Sequence, residues 1–153
     1  MTFRRILIAT DLSPASRPAF RVALDLARQG RGQLVIVHVL PSVGPLGVEG
    51  YVSARIYEEM ESSLHRWAQK RLDALVAQAR RARVNARPLL LSGAAAHEAS
   101  ARAAAKERSD VIVIGTHGRT GLERVLVGSV AARIIGTAPC PVLTVRPRRS
   151  RKG

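Results

Sequence analysis

Short, almost uninterrupted apolar runs alternate along this chain with longer stretches of helical periodicity, and this alternation limits its possible folds more than any other feature. The clearest runs are residues 6–9 (ILIA) and 111–114 (VIVI). Continuous apolar runs are typical of parallel strands covered on both faces, and strands that alternate with helices form a parallel sheet between helical layers. The sequence therefore predicts an α/β fold, with strands over residues 4–10, 34–40, 84–91, 111–114 and 141–145.

Helices are predicted over residues 16–29, 52–82, 94–108 and 129–135, the last of them ended by Gly136. Gly30 and Gly32 are expected to close the first helix. Pro88 interrupts the third apolar run and places that strand at an edge of the sheet. The predicted apolar side of the long second helix consists of Ile56, Met60, Leu64, Trp67, Leu72, Leu75 and Ala79. Open sheets of this kind bind ligands outside the carboxyl ends of their strands, so the turns after the strands are the segments to search.

The length of 153 residues is typical of a single domain. We assign residues 1–146 to that domain and residues 147–153 to a basic, disordered tail. The formal net charge is +14, which favours contact with polyanions. An aromatic content of 3% argues against a stacking platform for single-stranded nucleic acid. The one cysteine, Cys140, excludes an internal disulfide and favours a cytoplasmic location, and the apolar runs are too short to span a membrane.

The stretch from Gly115 to Ser129 leaves the clearest strand and enters the last helix. Glycines let a backbone approach a ligand closely, and converging amides hold an anion. Ser129 is expected to be the N-cap of the helix, whose first amides favour negative charge. The spacing G-x-x-G-x-x-G is neither a Walker A motif nor the dinucleotide fingerprint. The residues alone leave two interpretations open, an anion site and a plain glycine-rich connection.

This stretch and its flanks resemble the universal stress protein family. ATP-binding members of that family carry the pattern G-x2-G-x9-G-(S/T) after the fourth strand, and this chain matches it at Gly115, Gly118, Gly128 and Ser129. The flanks that also resemble the family are residues 6–13 (ILIATDLS), 37–39 (VHV), 110–118 and 139–145 (PCPVLTV). The resemblance therefore covers nearly the whole chain.

The resemblance implies a five-stranded sheet of order 3-2-1-4-5 and a set of ligand contacts. Asp11 would contact the ribose or a magnesium ion, Val39 would offer its backbone to adenine, and Ile114 would line the adenine pocket. The residues that would surround the ribose and phosphates are Gly115, Gly118, Gly128, Ser129 and Val130. Ala131 stands where some members have a hydroxyl, so one phosphate contact is expected to be missing. The resemblance also implies a homodimer that pairs through the strand at 141–145.

Several of these residues have a structural interpretation beside the functional one. Asp11 would also suit the cap of the helix that follows it. His38 is interpreted as a core histidine, Trp67 as core or interface packing, and Cys140 as a small buried residue. For three residues within the loop two interpretations remain, a contact with phosphate or a solvated position on the surface: His117, Arg119 and Arg124.

Three functions remain at this point. The first is a nucleotide-dependent regulatory module of the stress response, in which bound ATP orders the loop. The second is a slow ATPase, which is disfavoured because the loop has no P-loop lysine and the nearest carboxylates are Asp11 and Glu123. The third is a polyanion-binding protein, suggested by the net charge, with nucleic acid the less favoured partner.

Overall fold

The computed structural model describes residues 2–41, 53–116 and 128–146. Within them, five parallel strands form one sheet in the order β3-β2-β1-β4-β5, which confirms the predicted fold class and strand order. The strands are β1 Arg5–Ala9, β2 Gln33–Val39, β3 Asn85–Leu91, β4 Val111–Gly115 and β5 Val142–Val145. The helices are α1 Arg17–Gln29, α2 Ala54–Arg81, α3 Ala96–Lys106 and α4 Ser129–Thr137, with a 3₁₀ turn at Pro14–Ser16 before α1.

Both faces of the sheet are covered, because side chains alternate along each strand. In β1, Ile6 and Ile8 face the layer formed by α1 and α2, where they pack with Phe20 and Leu72. Leu7 faces the layer formed by α3 and α4, a smaller core. The helical residues of that smaller core are Ala103, Ala104, Ala131 and Ile134. Small side chains let these two helices lie close to the strands.

The predicted apolar side of α2 is wrong over the first two turns of the helix, whereas Leu64 and Leu75 pack against the core as predicted. Ile56 and Met60 are 50% and 57% exposed. The residues of α2 that are buried against the sheet all lie in its second half: Ala68, Leu72, Val76 and Ala79. A helix of 28 residues is about 42 Å long, whereas strands of 7 residues span about 23 Å, so one end of α2 extends past the sheet.

The end of α4 also differs from the prediction. Gly136 lies inside the helix, which continues to Thr137. Ala138 then takes an extended conformation, with φ −65° and ψ 139°. The residue before a proline avoids the helical region, so Pro139 rather than Gly136 fixes the end of the helix.

The turn after α1 contains two glycines because the neighbouring backbone leaves no room for a Cβ. Gly30 caps the helix with a negative φ of −79°, and the left-handed residue is Arg31, with φ 49°. A Cβ on Gly30 would collide with the Phe3 carbonyl, and one on Gly32 with the backbone of Arg4. The two glycines therefore let α1 end tightly against the start of β1.

The two edges of the sheet are β3, which contains Pro88 as predicted, and β5. Among the residues that the structure describes, no helix combines the length and apolar character that crossing a membrane requires.

Candidate functional site

A cavity of about 590 Å³ opens at the carboxyl ends of the central strands. Its size lies in the range of small-molecule sites. Seven of the eight residues predicted for the site line this cavity: Asp11, Val39, Ile114, Gly115, Gly128, Ser129 and Val130. Gly118 lies outside the described residues, as do His117, Arg119 and Arg124. The structure thus brings seven predicted residues to one place, from four separate segments of the chain.

Strand β2 extends beyond β1 at the edge of the cavity. The pairing of β1 with β2 ends at Ala9 and Val37, whereas β2 and β3 stay paired to Val39 and Leu91. The Thr10 amide donates to the Val37 carbonyl at 2.9 Å. Because strand backbones alternate, the amide and carbonyl of Val39 point toward this same side, past the end of β1. They therefore face the cavity with one donor and one acceptor.

A tight turn carries the chain out of β1 through Asp11. The Asp11 Oδ1 accepts a hydrogen bond from the Ser13 amide at 2.9 Å, and Leu12 takes a left-handed φ of 63°. The Thr10 hydroxyl accepts from the Leu12 amide at 3.0 Å and donates to the Ser16 hydroxyl at 3.0 Å. The suggested helix cap at Asp11 is wrong, because the N-cap of α1 is Ser16 and that of the 3₁₀ segment is Ser13; Asp11 instead closes the turn before the 3₁₀ segment. It does so while half-buried in the cavity wall.

The opening turn of α4 corrects the predicted cap. The N-cap residue is Gly128, which has no side chain to cap the helix, and Ser129 is the first residue of the helix. The first helical hydrogen bond runs from the Ala132 amide to the Gly128 carbonyl at 2.9 Å. The amides of Ser129, Val130 and Ala131 therefore have no partner within the helix. These amides begin the helix at the cavity, where the helix dipole favours an anion.

The ends of the glycine-containing loop are held together at the cavity. The Gly128 amide donates to the Thr116 carbonyl at 2.7 Å, and the Thr116 amide donates to the Val145 carbonyl at 2.9 Å. Gly128 has an ordinary φ of −63°, so its glycine is not required for a left-handed turn. A Cβ at this position would lie 3.0 Å from the Thr116 carbonyl oxygen. The glycine at this position keeps the close approach of the two backbone segments free of a tight side-chain contact.

Helix α3 contributes a wall that sequence reasoning did not identify. Ala95 is its N-cap, without a side-chain hydrogen bond, and Ala94 to Ala96 line the cavity. Ser100 follows one turn later, 2% exposed, and also lines the cavity. Its spacing from Ala103 and Ala104 puts it on the sheet-facing side of α3, and this spacing was a signal that could have identified it. Ser100 is therefore a buried hydroxyl residue in an otherwise alanine-rich part of the wall.

His38 is a core histidine, as interpreted from the sequence. It is 3% exposed, and its Nδ1 lies 2.8 Å from the Thr10 carbonyl oxygen, to which it donates. Its ring meets Trp67 edge-on, with 6.4 Å between ring centroids. Trp67 itself reaches the protein surface, since it is 38% exposed, and the Arg71 guanidinium lies 5.0 Å from the centroid of its ring. The hydrogen bond to Thr10 ties the end of β2 to the residue that precedes Asp11.

Asp11 is the only acidic or basic side chain, histidine apart, among the described residues that line the cavity. The described segments contain no group of three or more side chains that could hold a metal ion. Magnesium commonly takes one or two carboxylates and completes its shell with phosphates and water. Asp11, a single half-buried carboxylate beside the N-terminus of α4, could supply one ligand of such a shell, with the remaining oxygens coming from a bound ligand and water.

Comparison with known proteins supplies the family. A model of the universal stress protein family matches residues 2–146. The chain belongs to the universal stress protein family. A universal stress protein of Methanocaldococcus jannaschii is 35% identical over 147 residues, which cover 94% of this chain and 82% of that protein. A universal stress protein A homologue of Coxiella burnetii is 34% identical, over 95% of this chain and 97% of that one.

Solved structures share this fold. The protein MJ0577 superposes with a TM-score of 0.85 at 23% identity and covers 98% of this chain and 100% of its own. A universal stress protein of Archaeoglobus fulgidus, solved in complex with dAMP, has a TM-score of 0.65 at 24% identity, over 95% and 100% of the two chains. A family protein of Arabidopsis thaliana, solved with AMP bound, has a TM-score of 0.67 at 19% identity, over 95% and 93%.

Proposed function

We propose that this universal stress protein binds an adenine nucleotide, ATP, in the cavity and acts as a nucleotide-dependent regulatory module of the stress response. The observation that carries the proposal is the start of α4, where backbone amides without a helical partner face the cavity that the Val39 backbone and Asp11 also line. A regulatory module needs a site that binds and releases its ligand, and this site is built mainly from backbone.

The phosphates bind at the N-terminus of α4 in this proposal. The amides of Ser129, Val130 and Ala131 supply hydrogen bonds that strengthen with an ionised acceptor, about 1.5–3 kcal/mol each. Gly128 supports this role because it leaves the space where a side chain would lie. The Ala131 side chain is a methyl group, so the phosphates receive only its amide there.

The base binds between β2 and β4 in this proposal. Ile114 and Val39 belong to the apolar layer between the sheet and α3, and they supply an apolar surface for a purine. The donor and acceptor of the Val39 backbone suit the polar edge of adenine. The related structures with dAMP and AMP support an adenine nucleotide as the ligand class.

Calorimetric titration with AMP, ATP and GTP tests the proposal. We expect adenine nucleotides to bind with micromolar affinity, about 8 kcal/mol, and GTP to bind more weakly. An absence of heat with both AMP and ATP, with and without magnesium, would contradict the proposal.

Asp11→Asn separates the two roles proposed for Asp11. Asparagine retains an oxygen for the Ser13 amide and so preserves the turn, but it removes the charge. A ribose contact predicts weaker binding of AMP and ATP alike, with or without magnesium. A magnesium contact predicts weaker binding of ATP only when the metal is present. Asp25→Asn, a change at an exposed carboxylate of α1, is the control and should leave affinity unchanged.

We also propose that β5 mediates a homodimer. The carbonyls of Pro141 and Val145 face β4, so by alternation the Thr144 amide points to the open edge of the sheet. Thr144→Pro removes that donor without removing a hydrogen bond to β4. Light scattering should give a dimer for the unmodified protein and a monomer for the variant. A monomeric unmodified protein, or a variant that stays dimeric, would contradict this pairing.

A further inference from the structure

Three helices of this protein end with the same backbone motif, and in each one an arginine occupies the position that usually holds glycine. The left-handed residues are Arg31 after α1, Arg83 after α2 and Arg108 after α3, with φ of 49°, 60° and 50°. Each motif has the two hydrogen bonds of a Schellman turn. After α1, for example, the Gly32 amide donates to the Ala27 carbonyl at 2.8 Å and the Arg31 amide to the Arg28 carbonyl at 3.3 Å.

The three arginines lie at the amino ends of the strands, opposite the cavity. They precede β2, β3 and β4, and Arg4 precedes β1, which lies between β2 and β4. Gln33 of β2 is in register with Arg5 of β1 and with Asn85 of β3. Arg31 and Arg83 each lie two residues before these partners in β2 and β3, so they are in register with each other. We call Arg4, Arg31, Arg83 and Arg108 the arginine edge. With about 4.8 Å between strands, its backbone positions extend over about 14 Å.

The arginine edge carries charge that the described residues do not neutralise. All four side chains are exposed, and none forms an ion pair with another described residue. Two acids lie at this same end of the strands, and each pairs with an arginine outside the set of four. Asp110 accepts from the backbone amides of Arg4 and Arg5 and pairs with the Arg5 guanidinium, and Glu107 pairs with Arg87. Three more exposed cations extend the same edge, namely Arg80, Arg81 and Lys106.

Helix capping accounts for part of this pattern. A cation at a helix C-terminus contributes about 0.3–1 kcal/mol through the dipole. A side chain in the left-handed region costs about 1–2 kcal/mol relative to the right-handed one, a cost that glycine avoids. The cost is the larger of the two, so stability alone gives no reason for an arginine in all three turns. Backbone strain that is repeated without a gain in stability points to a function of the side chains.

We propose that the arginine edge binds the phosphate backbone of double-stranded nucleic acid without sequence specificity. Arginine matches phosphate oxygens with two parallel hydrogen bonds, and all four residues of the edge are arginines. A duplex presents a continuous line of negative charge that a row about 14 Å long can contact at several points. No tryptophan or tyrosine of the described segments lies in these turns, and Phe3, which is next to Arg4, is half-buried and packs against the core. The edge therefore has little of the stacking surface that single strands use.

The triple variant Arg31→Gly, Arg83→Gly, Arg108→Gly tests the proposal without disturbing the fold. Glycine is the residue that the Schellman turn favours, so the melting temperature should stay the same or rise. Binding of a fluorescent 24-base-pair DNA duplex should weaken by roughly tenfold at low salt. The slope of log K against log salt should fall in magnitude by about 2 to 3, since each phosphate that the protein neutralises contributes about 0.9 to the slope.

A second triple variant controls for net charge. Arg21→Ala, Arg102→Ala and Arg133→Ala remove the same charge from exposed helix flanks, and the basic tail stays present in both proteins. The proposal predicts a much smaller decrease in duplex binding for this control. Equal decreases in the two variants, or full binding by the glycine variant, would overturn it.

Phosphatidylserine vesicles distinguish the duplex from an anionic membrane surface. The proposal predicts that the glycine variant loses duplex binding, and that vesicle binding by the unmodified protein is weaker than duplex binding at equal salt. Loss of vesicle binding with unchanged duplex binding would assign the edge to a membrane and overturn the proposal.

Discussion

The carboxyl ends and the amino ends of the strands, which we call the carboxyl edge and the amino edge, are built from the same elements and have opposite chemistry. At the carboxyl edge, α3 and α4 begin without side-chain caps around an apolar cavity whose one acid, among the described lining residues, is Asp11. At the amino edge, α1, α2 and α3 end in turns that carry exposed arginines. In a parallel sheet with connecting helices, every helix directs its N-terminus to one edge and its C-terminus to the other. The fold therefore separates backbone donors from backbone acceptors, and the side chains determine how each edge is used.

The difference between the edges indicates which substitutions should affect nucleotide binding and which should affect only stability. Changes at the carboxyl edge should alter nucleotide affinity and leave the free energy of unfolding nearly unchanged. Changes at the amino edge should leave nucleotide affinity unchanged.

The largest expected effect is that of Gly128→Ala on nucleotide affinity. The added Cβ would lie 3.0 Å from the Thr116 carbonyl oxygen and would displace the first amides of α4. We expect AMP affinity to fall about tenfold, or about 1.4 kcal/mol, in calorimetry.

Gly136→Ala is the matched control in the same helix, because a Cβ there meets nothing within 4 Å. It should raise the free energy of unfolding by about 0.5–1 kcal/mol and leave AMP affinity unchanged. Equal affinities for the two variants would mean that the start of α4 does not hold the phosphates.

Asp110→Asn should have the next largest effect, and the effect should be on stability. The Asp110 carboxylate accepts from the amides of Arg4 and Arg5 at 2.9 and 2.8 Å and pairs with the Arg5 guanidinium at 2.8 Å. We expect the free energy of unfolding to fall by about 1 kcal/mol at neutral pH, since the group is partly exposed, with no change in AMP affinity. Asp25→Asn, which breaks a more exposed pair, should change stability little.

The pH dependence of this effect follows from the Asp110 pKa. The Arg4 amide above all, and then the Arg5 side chain, lower the pKa of Asp110 from its ordinary value of 3.8. A lowered folded pKa gives a stabilisation that is present above the ordinary value and disappears as the pH falls through the folded one. The two proteins should therefore converge in chemical denaturation at strongly acidic pH. A constant difference down to that pH would contradict this assignment.

Ser100→Ala should weaken AMP binding by about threefold, the expected effect of removing one neutral hydrogen bond. The hydroxyl is buried in the cavity wall, where a bound nucleotide can reach it. Ser109→Ala, at the opposite edge, is its control. An unchanged affinity for the Ser100 variant would exclude contact between α3 and the nucleotide.

The smallest expected effect concerns Cys140, which precedes β5 at the amino edge. Burial, and secondarily the charge of Asp110, raise the pKa of its thiol. Alkylation should therefore need a higher pH than that of an exposed cysteine, and the midpoint should fall slightly in Asp110→Asn. A midpoint below the ordinary thiol value would contradict this and indicate a reactive cysteine.

The sequence was sufficient to predict the fold class, because the apolar runs and helical patterns follow one another along the chain. The strand order and the site residues came from the family resemblance, and seven of the eight predicted residues line the cavity. Ser100 was missed because only alanines mark the sheet-facing side of α3, which is a weak apolar signal, although its spacing from Ala103 and Ala104 could have identified it. The Gly128 cap was missed because a serine after a glycine is the usual signal for the opposite assignment.

The arginine edge could not be predicted from the sequence either. Arg31, Arg83 and Arg108 are separated by 25 residues or more and share no motif. Their common location depends on three helices that end at the same edge, each in a left-handed residue. Sequence reasoning attributed the basic character partly to the tail, whereas the structure also places exposed arginines together on the folded domain.

The most direct test of the central claim is the nucleotide content of protein purified under gentle conditions. The protein is denatured, and the released small molecules are identified and counted by chromatography. The account predicts an adenine nucleotide at close to one per chain, and much less from Gly128→Ala purified in parallel. A protein that releases no nucleotide and gives no heat with added ATP or AMP would contradict the claim that the carboxyl edge is a nucleotide site.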